Sequence, residues 1–333
     1  MSQGKLREIL SKQPYNLLRS YNFYAYPVGK TTAERYICYV FIRLFMKTKI
    51  LPICVSVTFL LAATFACKPE ENPVIPTCRL TSTNDQVVAA DGQLTDEIKR
   101  TFTYNAATLM TLAEKTKNQD VTFTVTYADQ RVRSAAGGQD VVTFGYGSAT
   151  SPTSATFTRG GKVMSTFGME YTTAGRLSKI VESRQILPTG SLTKERAFTL
   201  TYDTNGNLTN EQVRFTLNDG SVVEQETEYT FDTKPAPYKR LSELPLLTVV
   251  ALSQAVETRP GRFWHNNNCI ALKSYNLTST GSRSNLRESS TFTPVYDADN
   301  KVMTQDQATL LYQASVPNPV SMKNLQTFTY QCE

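Results

Sequence analysis

The 333-residue sequence contains a single histidine and a single tryptophan. Any catalytic site that needs an imidazole therefore has to use His265, and no Gly-x-Ser-x-Gly nucleophile motif accompanies it. Metal binding has little support, because the six cysteines lack ligand spacing and histidine is scarce. The sequence predicts no catalytic residues, no metal site and no cofactor.

The net positive charge of the sequence is confined to its first 66 residues. Nine of the 35 basic residues but only two of the 29 acidic ones lie in residues 1–66, which leaves 26 basic and 27 acidic residues in the remainder. A near-neutral body disfavours a nucleic-acid partner. With 40% hydrophobic residues, the chain has enough apolar side chains to exclude wholesale disorder.

Residues 46–66 have the order of a secretory signal peptide. A basic start at Met46 leads into a hydrophobic stretch of about 15 residues, too short for a comfortable membrane span, and then to the small residue Ala66. Cys67 follows directly. The segment resembles a bacterial lipoprotein signal, which implies that Cys67 is lipidated and becomes the first residue of the mature chain. The alternative is ordinary cleavage that leaves Cys67 as a plain thiol.

The leader divides the rest of the sequence. Because a signal peptide must emerge first from the ribosome, residues 1–45 are predicted to be a mis-assigned extension, with Met46 as the true start. If Met1 is the start, the apolar runs act together as an uncleaved anchor and the body is still exported. Prolines and charges predict a flexible tether over residues 67–77, followed by a single domain over residues 78–333.

Three cysteines belong to the predicted domain. Export favours disulfides, and Cys78 and Cys332 lie next to the predicted first and last strands, so we expect these two to pair. Two alternatives remain open: a bridge between Cys78 and Cys269, and three buried thiols without any bridge.

The domain alternates threonine with apolar, mostly aromatic, residues. The clearest examples are Thr101–Tyr104, Thr122–Tyr127, Thr199–Tyr202, Thr291–Thr293 and Thr327–Tyr330. Period two with β-branched residues predicts half-buried antiparallel strands, and turn signals such as Asn205-Gly206 separate them. The predicted fold class is all-β: an antiparallel hairpin meander forming a curved sheet or a barrel-like domain. The best helix candidate, Leu241–Val256, is interrupted by Pro245 and rich in β-branched residues, so no helix is predicted there.

A tyrosine, a short polar turn and an apolar residue recur as a unit. The units are Tyr127–Val132, Tyr171–Leu177, Tyr202–Leu208 and Tyr296–Val302. We expect the tyrosine and the apolar residue to form a cross-strand pair on the buried face. Tyr202 to Gly206 resembles a YD (RHS-type) repeat.

The wider set of units is similar to a family of Bacteroidota lipoproteins of unknown function with a porin-like β fold. The stretch Tyr229–Lys239 and the later Asn266–Asn268 resemble two motifs of that family, with Ala236 in place of an expected asparagine. This resemblance implies a porin-like barrel over Cys78–Cys332, and it brings no catalytic residues.

One cluster is a weak binding candidate: Phe263, Trp264, His265 and Asn267. As an exposed loop, it would present rings and amides for stacking on a sugar or on a partner surface. The alternative is that the rings plug one end of the sheet.

The function predicted from these patterns is that of a membrane-tethered, non-enzymatic lipoprotein of the bacterial outer membrane, either surface-exposed or periplasm-facing. Its expected partners are the membrane, through the lipid anchor, and a glycan or envelope protein. One alternative is a glycan hydrolase that uses two carboxylates such as Glu195 and Glu211. The other is an integral outer-membrane β-barrel, whose strands also alternate.

Overall fold

The structure, a computed structural model, describes residues 78–89, 92–185, 193–217, 219–255, 257–313 and 316–332. The predicted extension, the signal peptide, Cys67 and the tether lie outside the described residues, and they remain predictions.

The described residues form sixteen strands that close into one barrel. The strands are β1 (Cys78–Val88), β2 (Leu94–Asn105), β3 (Thr108–Lys115), β4 (Asp120–Ala128), β5 (Arg131–Gly137), β6 (Asp140–Gly145), β7 (Ser154–Arg159), β8 (Lys162–Tyr171), β9 (Leu177–Arg184), β10 (Thr193–Tyr202), β11 (Leu208–Leu217), β12 (Val222–Pro235), β13 (Asn267–Leu277), β14 (Arg283–Tyr296), β15 (Val302–Leu311) and β16 (Val320–Cys332). Each strand pairs antiparallel with its neighbours in sequence, and β1 pairs antiparallel with β16. The predicted all-β hairpin meander is confirmed, in its barrel form.

Alternation along the strands separates a polar outer face from a filled interior. In β4, Thr122, Thr124 and Thr126 are exposed, whereas Phe123 and Val125 are buried. The same order recurs in β10 and β16, because successive side chains of a strand point to opposite faces. Threonine is therefore frequent on the outside of the barrel, where a few large apolar side chains such as Met110 and Leu310 are also exposed. Aromatic and aliphatic side chains form the hydrophobic core.

The tyrosine units form hairpins along one rim, called here the tyrosine rim. Each tyrosine pairs with the apolar residue of its own unit, as in Tyr127↔Val132 and Tyr202↔Leu208. The hydroxyls add a link between units, because Tyr146 donates to the carbonyl oxygen of Val132 at 2.9 Å. Equivalent bonds join Tyr104 to Leu80, Tyr127 to Leu109 and Tyr202 to Leu177. Two of the four repeat tyrosines, Tyr127 and Tyr202, thus join neighbouring strands through their hydroxyls, and Tyr104 and Tyr146 at the same rim do the same.

The connection between β12 and β13 fills the barrel interior. It contains helix α1 (Leu244–Ser253) and a short 3-10 helix (Pro260–Phe263). The prediction that Leu241–Val256 contains no helix is wrong, for two reasons. Pro245 lies in the first turn of α1, where a missing N–H costs little. The helix is also buried all round, so it shows no amphipathic period.

A disulfide joins the first strand of the barrel to the last. Cys78 and Cys332 face each other in the β1–β16 register and form a disulfide, with 3.9 Å between their Cα atoms. Cys269 is a free thiol in the β13 wall. Within the described residues, no helix is both long and apolar enough to cross a membrane.

Candidate functional site

The segment 236–266, called here the plug, carries three of the four predicted binding residues into the barrel. Phe263, Trp264 and His265 are 0%, 8% and 6% exposed. The expectation of an exposed loop is therefore wrong for these three, because the plug turns them into the lumen. Trp264 donates its Nε1–H to the Thr248 hydroxyl at 3.0 Å, which ties the end of the plug to α1.

Asn267 stays at the tyrosine rim, where it holds the plug exit in place. Its backbone N–H donates to Asn207 Oδ1 at 2.8 Å, and its side-chain amide donates to the carbonyl oxygen of Asp232 at 3.0 Å. The next residue, Asn268, donates to the Tyr296 hydroxyl at 3.1 Å. These amides connect three hairpins at the point where the plug returns to the wall.

A lumen cavity of about 80 Å³ lies between the plug and the wall formed by β13 to β16. Three glutamines from the wall line it, namely Gln305, Gln307 and Gln326, and His265 lines it from the plug. His265 Nδ1 and Gln305 Oε1 have no hydrogen-bond partner among the described residues. Buried polar atoms of this kind normally bind water or a ligand.

An ion pair joins the plug to the wall beside this cavity, and two others lie within the plug and within the wall. Arg262 donates to Asp85 Oδ2 at 3.0 Å and to Glu257 Oε2 at 3.2 Å. Within the wall, the fully buried Arg100 of β2 donates from Nε to Glu114 Oε2 of β3 at 2.8 Å. Of these pairs, Arg262–Asp85 is the one that joins the plug to the wall, and it opposes expulsion of the plug.

Tyr229 contacts both Glu211 and His265. The Tyr229 hydroxyl donates to Glu211 Oε2 at 2.6 Å, and the Tyr229 ring lies 5.0 Å from the His265 ring. Burial raises the pKa of Glu211 to about 7. Burial and then the charge of Arg262 lower the pKa of His265 to about 3. His265 is therefore a neutral imidazole in the lumen.

The two carboxylates considered for glycan hydrolysis lie on opposite faces of the wall. Glu211 pairs with the inward-facing Leu200 and is 1% exposed. Glu195 is one residue from the buried Arg196 and so points outward. A dyad needs both carboxyl groups on one substrate, so this pair is wrong as a catalytic pair.

A larger cleft of about 330 Å³ opens at the tyrosine rim beside the plug entrance. Tyr104 and Tyr330 line it with half-buried rings, and Lys239 and Arg240 of the plug are exposed at its edge. Its volume lies at the small end of the range of about 300–1,000 Å³ that is usual for ligand sites. Ala236 and Pro237 line both this cleft and the lumen cavity.

Cys269 and the acidic residues do not form a reactive centre. Burial raises the pKa of Cys269 to about 12, which keeps it as a thiol. Among the described residues, no three His, Cys, Asp or Glu side chains come together as they would around a metal ion.

Sequence reasoning missed the cleft residues Lys239 and Arg240. The available signal was the stretch 235–240, where two prolines end the strand period and two basic residues follow. Its position at the mouth of a barrel depends on the plug, which the strand pattern does not reveal.

Solved structures that resemble the fold include two that are described as porin-like proteins. One, from Bacteroides uniformis, is 16% identical, covers 76% of this chain and 96% of its own, and has a TM-score of 0.49. Another, from Bacteroides vulgatus, is 12% identical, covers 77% and 99%, and has a TM-score of 0.33. A third, TcdB2-TccC3 without its hypervariable C-terminal region, is 16% identical over 75% of this chain and 14% of its own, with a TM-score of 0.28.

At these identities and TM-scores, the likenesses do not identify a function. No protein-family model matches the chain, and no curated protein sequence matches it.

Proposed function

We propose that the chain is a lipid-anchored envelope protein whose plugged barrel is a non-enzymatic scaffold that presents a binding site at the tyrosine rim. The observation that carries the proposal is the combination of a polar outer face with a filled lumen. Neither feature suits a membrane-embedded pore.

The outer face argues for a barrel surrounded by water. A membrane-spanning barrel needs an apolar outward band about 25 Å tall. Here the exposed side chains include threonines that interrupt such a band, such as Thr103 of β2, Thr199 of β10 and Thr327 of β16. Exposed apolar side chains such as Met110, Val295 and Leu310 lie among them. The integral-barrel alternative would place these hydroxyls in lipid.

The filled lumen argues against a conducting role. Buried α1 residues such as Leu247 and Val250 pack in the interior, and the carbonyl oxygen of Leu252 accepts hydrogen bonds from Arg184 and Arg196 at 3.0 Å each. Cations at a helix C-terminus interact favourably with its dipole. Helix α1 is thus held at both ends, because Glu243 at its start accepts a hydrogen bond from the Tyr127 hydroxyl at the tyrosine rim.

The lipid anchor is tested by metabolic labelling with an alkyne fatty acid in a bacterial host, comparing the wild-type chain with Cys67→Ala. We expect label and membrane retention only for the wild type, and cleavage within the tether should release an intact barrel into the soluble fraction. Label on the Cys67→Ala chain, or a barrel that stays in the membrane after trimming, would refute the proposal.

A further inference from the structure

We infer that the cleft at the tyrosine rim binds an anionic sugar, meaning a saccharide unit that carries a carboxylate or a phosphate. The inference rests on the proposed function, because it takes the barrel to be a binding protein and names the chemistry of its ligand.

The cleft is lined by three cations, Lys239, Arg240 and Lys301, and by one carboxylate, Asp299. Lys239 and Arg240 are adjacent, exposed and without an ion pair to any described residue. The third cation of the cleft, Lys301, already contacts Asp297 at 2.9 Å and Asp299 at 2.7 Å. An anion entering the cleft would therefore meet two available cations, and one of these is an arginine that can bind carboxylate or phosphate with two parallel hydrogen bonds.

The interior of the cleft is apolar and aromatic. Tyr104 and Tyr330 contribute rings, and Leu241 is 6% exposed. The Tyr104 hydroxyl donates to the carbonyl oxygen of Leu80 at 3.0 Å, and the Arg79 guanidinium lies 5.9 Å from the centroid of the Tyr104 ring, so a sugar would pack on the part of this ring that Arg79 leaves open. A pyranose has apolar C–H faces that pack on such rings, whereas a bare inorganic anion gains nothing from them.

Asn267 adds a polar group at the cleft wall. Its amide is held by Asp232 and its backbone by Asn207, so its orientation is set before a ligand arrives. A pre-oriented amide reduces the entropic cost of binding hydroxyl groups. Cations at the edge, rings inside and a fixed amide together match an acidic sugar better than a neutral one.

Cys78, the first residue of β1, also lines the cleft, so the cleft lies beside the disulfide with Cys332. An anionic group could come from an envelope glycan or from a lipid headgroup. The difference lies in the ring, which a simple phospholipid headgroup lacks.

The test is isothermal titration calorimetry on the detergent-solubilised full chain at low salt. The probes are trigalacturonate, its uncharged methyl ester, glucose 6-phosphate and glycerol 3-phosphate, the last being a headgroup analogue without a ring. We expect trigalacturonate or glucose 6-phosphate to bind. The methyl ester should bind at least about tenfold more weakly than trigalacturonate. Glycerol 3-phosphate should bind at least about tenfold more weakly than glucose 6-phosphate.

The decisive variant is the double substitution Lys239→Gln/Arg240→Gln, with Lys117→Gln/Lys162→Gln as a control that removes the same charge from exposed positions at the opposite rim. The first pair should weaken binding of the anionic sugar by at least about tenfold, and the control pair should leave it unchanged. Both variants should melt like the wild type, since all four side chains are exposed.

Three results would overturn the inference: no heat with either anionic sugar, equal affinity in both double variants, or glycerol 3-phosphate binding as tightly as the sugars. The last result would assign the cleft to a lipid headgroup. If sugar binding fails while Cys67 still carries lipid, this inference falls and the anchored scaffold stands.

Discussion

Substitution of Glu211 by glutamine should change how the stability of the barrel depends on pH. In the folded protein burial raises the pKa of Glu211 from 4.5 to about 7. Between these values the folded state holds a proton that the unfolded state has released, so stability falls as pH rises. This pKa difference corresponds to a loss of about 3 kcal/mol in the free energy of unfolding. For a domain of this size, that loss is a shift of about 6–12 °C in Tm.

His265 works in the opposite direction over an overlapping range. Its pKa is lowered from 6.5 to about 3 in the folded protein, so the unfolded state binds the extra proton and stability rises from about pH 3 to about pH 6.5. The two effects offset each other in the wild type between about pH 4.5 and pH 6.5. Single variants separate them.

The assay is thermal unfolding at a series of pH values, with Glu170→Gln as an exposed control. From about pH 5 to about pH 8, the Tm of the Glu211→Gln variant should rise relative to that of the wild type. The His265→Phe variant should instead lack the increase in stability that His265 gives the wild type from about pH 3 to about pH 6.5. If the Glu211→Gln and wild-type curves run parallel over this range, Glu211 does not titrate as a buried carboxyl and the reasoning is wrong.

Three further predictions concern the disulfide, the free thiol and the plug. Replacing Cys78 and Cys332 by serine should lower stability by up to about 5 kcal/mol, as the chain-entropy model gives for a loop this long; intact mass before and after reduction tests whether the bridge forms in exported protein. Cys269 should react with a maleimide only after unfolding, because burial raises its pKa to about 12; fast labelling of native protein would contradict this. Gly261→Ala should destabilise the barrel by about 1–3 kcal/mol, because its Cβ would lie 2.3 Å from Leu208 Cδ2; an unchanged Tm would show that the plug is loosely held.

Local patterns in the sequence were sufficient for the wall of the barrel. The threonine–aromatic period predicts strands because successive side chains of a strand face opposite sides, and in Thr122–Val125 the threonines are exposed and the apolar residues buried. The tyrosine units predicted their own cross-strand pairs, such as Tyr202 with Leu208. Both are short-range properties, and neighbouring residues alone determine them.

The plug and the candidate sites depend on contacts that no local pattern contains. Helix α1 is apolar on every side, so its sequence cannot be distinguished from that of a buried strand until the barrel surrounds it. Phe263, Trp264 and His265 are adjacent in the sequence, and this adjacency does not tell whether their side chains are exposed or buried. Their burial in the lumen follows from the plug between β12 and β13.

The amino-acid sequence by itself determined the alternation of faces, the hairpins and the near-neutral charge of the domain. Only the tertiary structure decided that the sheet closes, that the plug fills it, and that Lys239 and Arg240 stand beside Tyr104 and Tyr330. The physical reason is sequence separation: strand pairing within a hairpin acts over a few residues, whereas closure joins Cys78 to Cys332 across 254 positions.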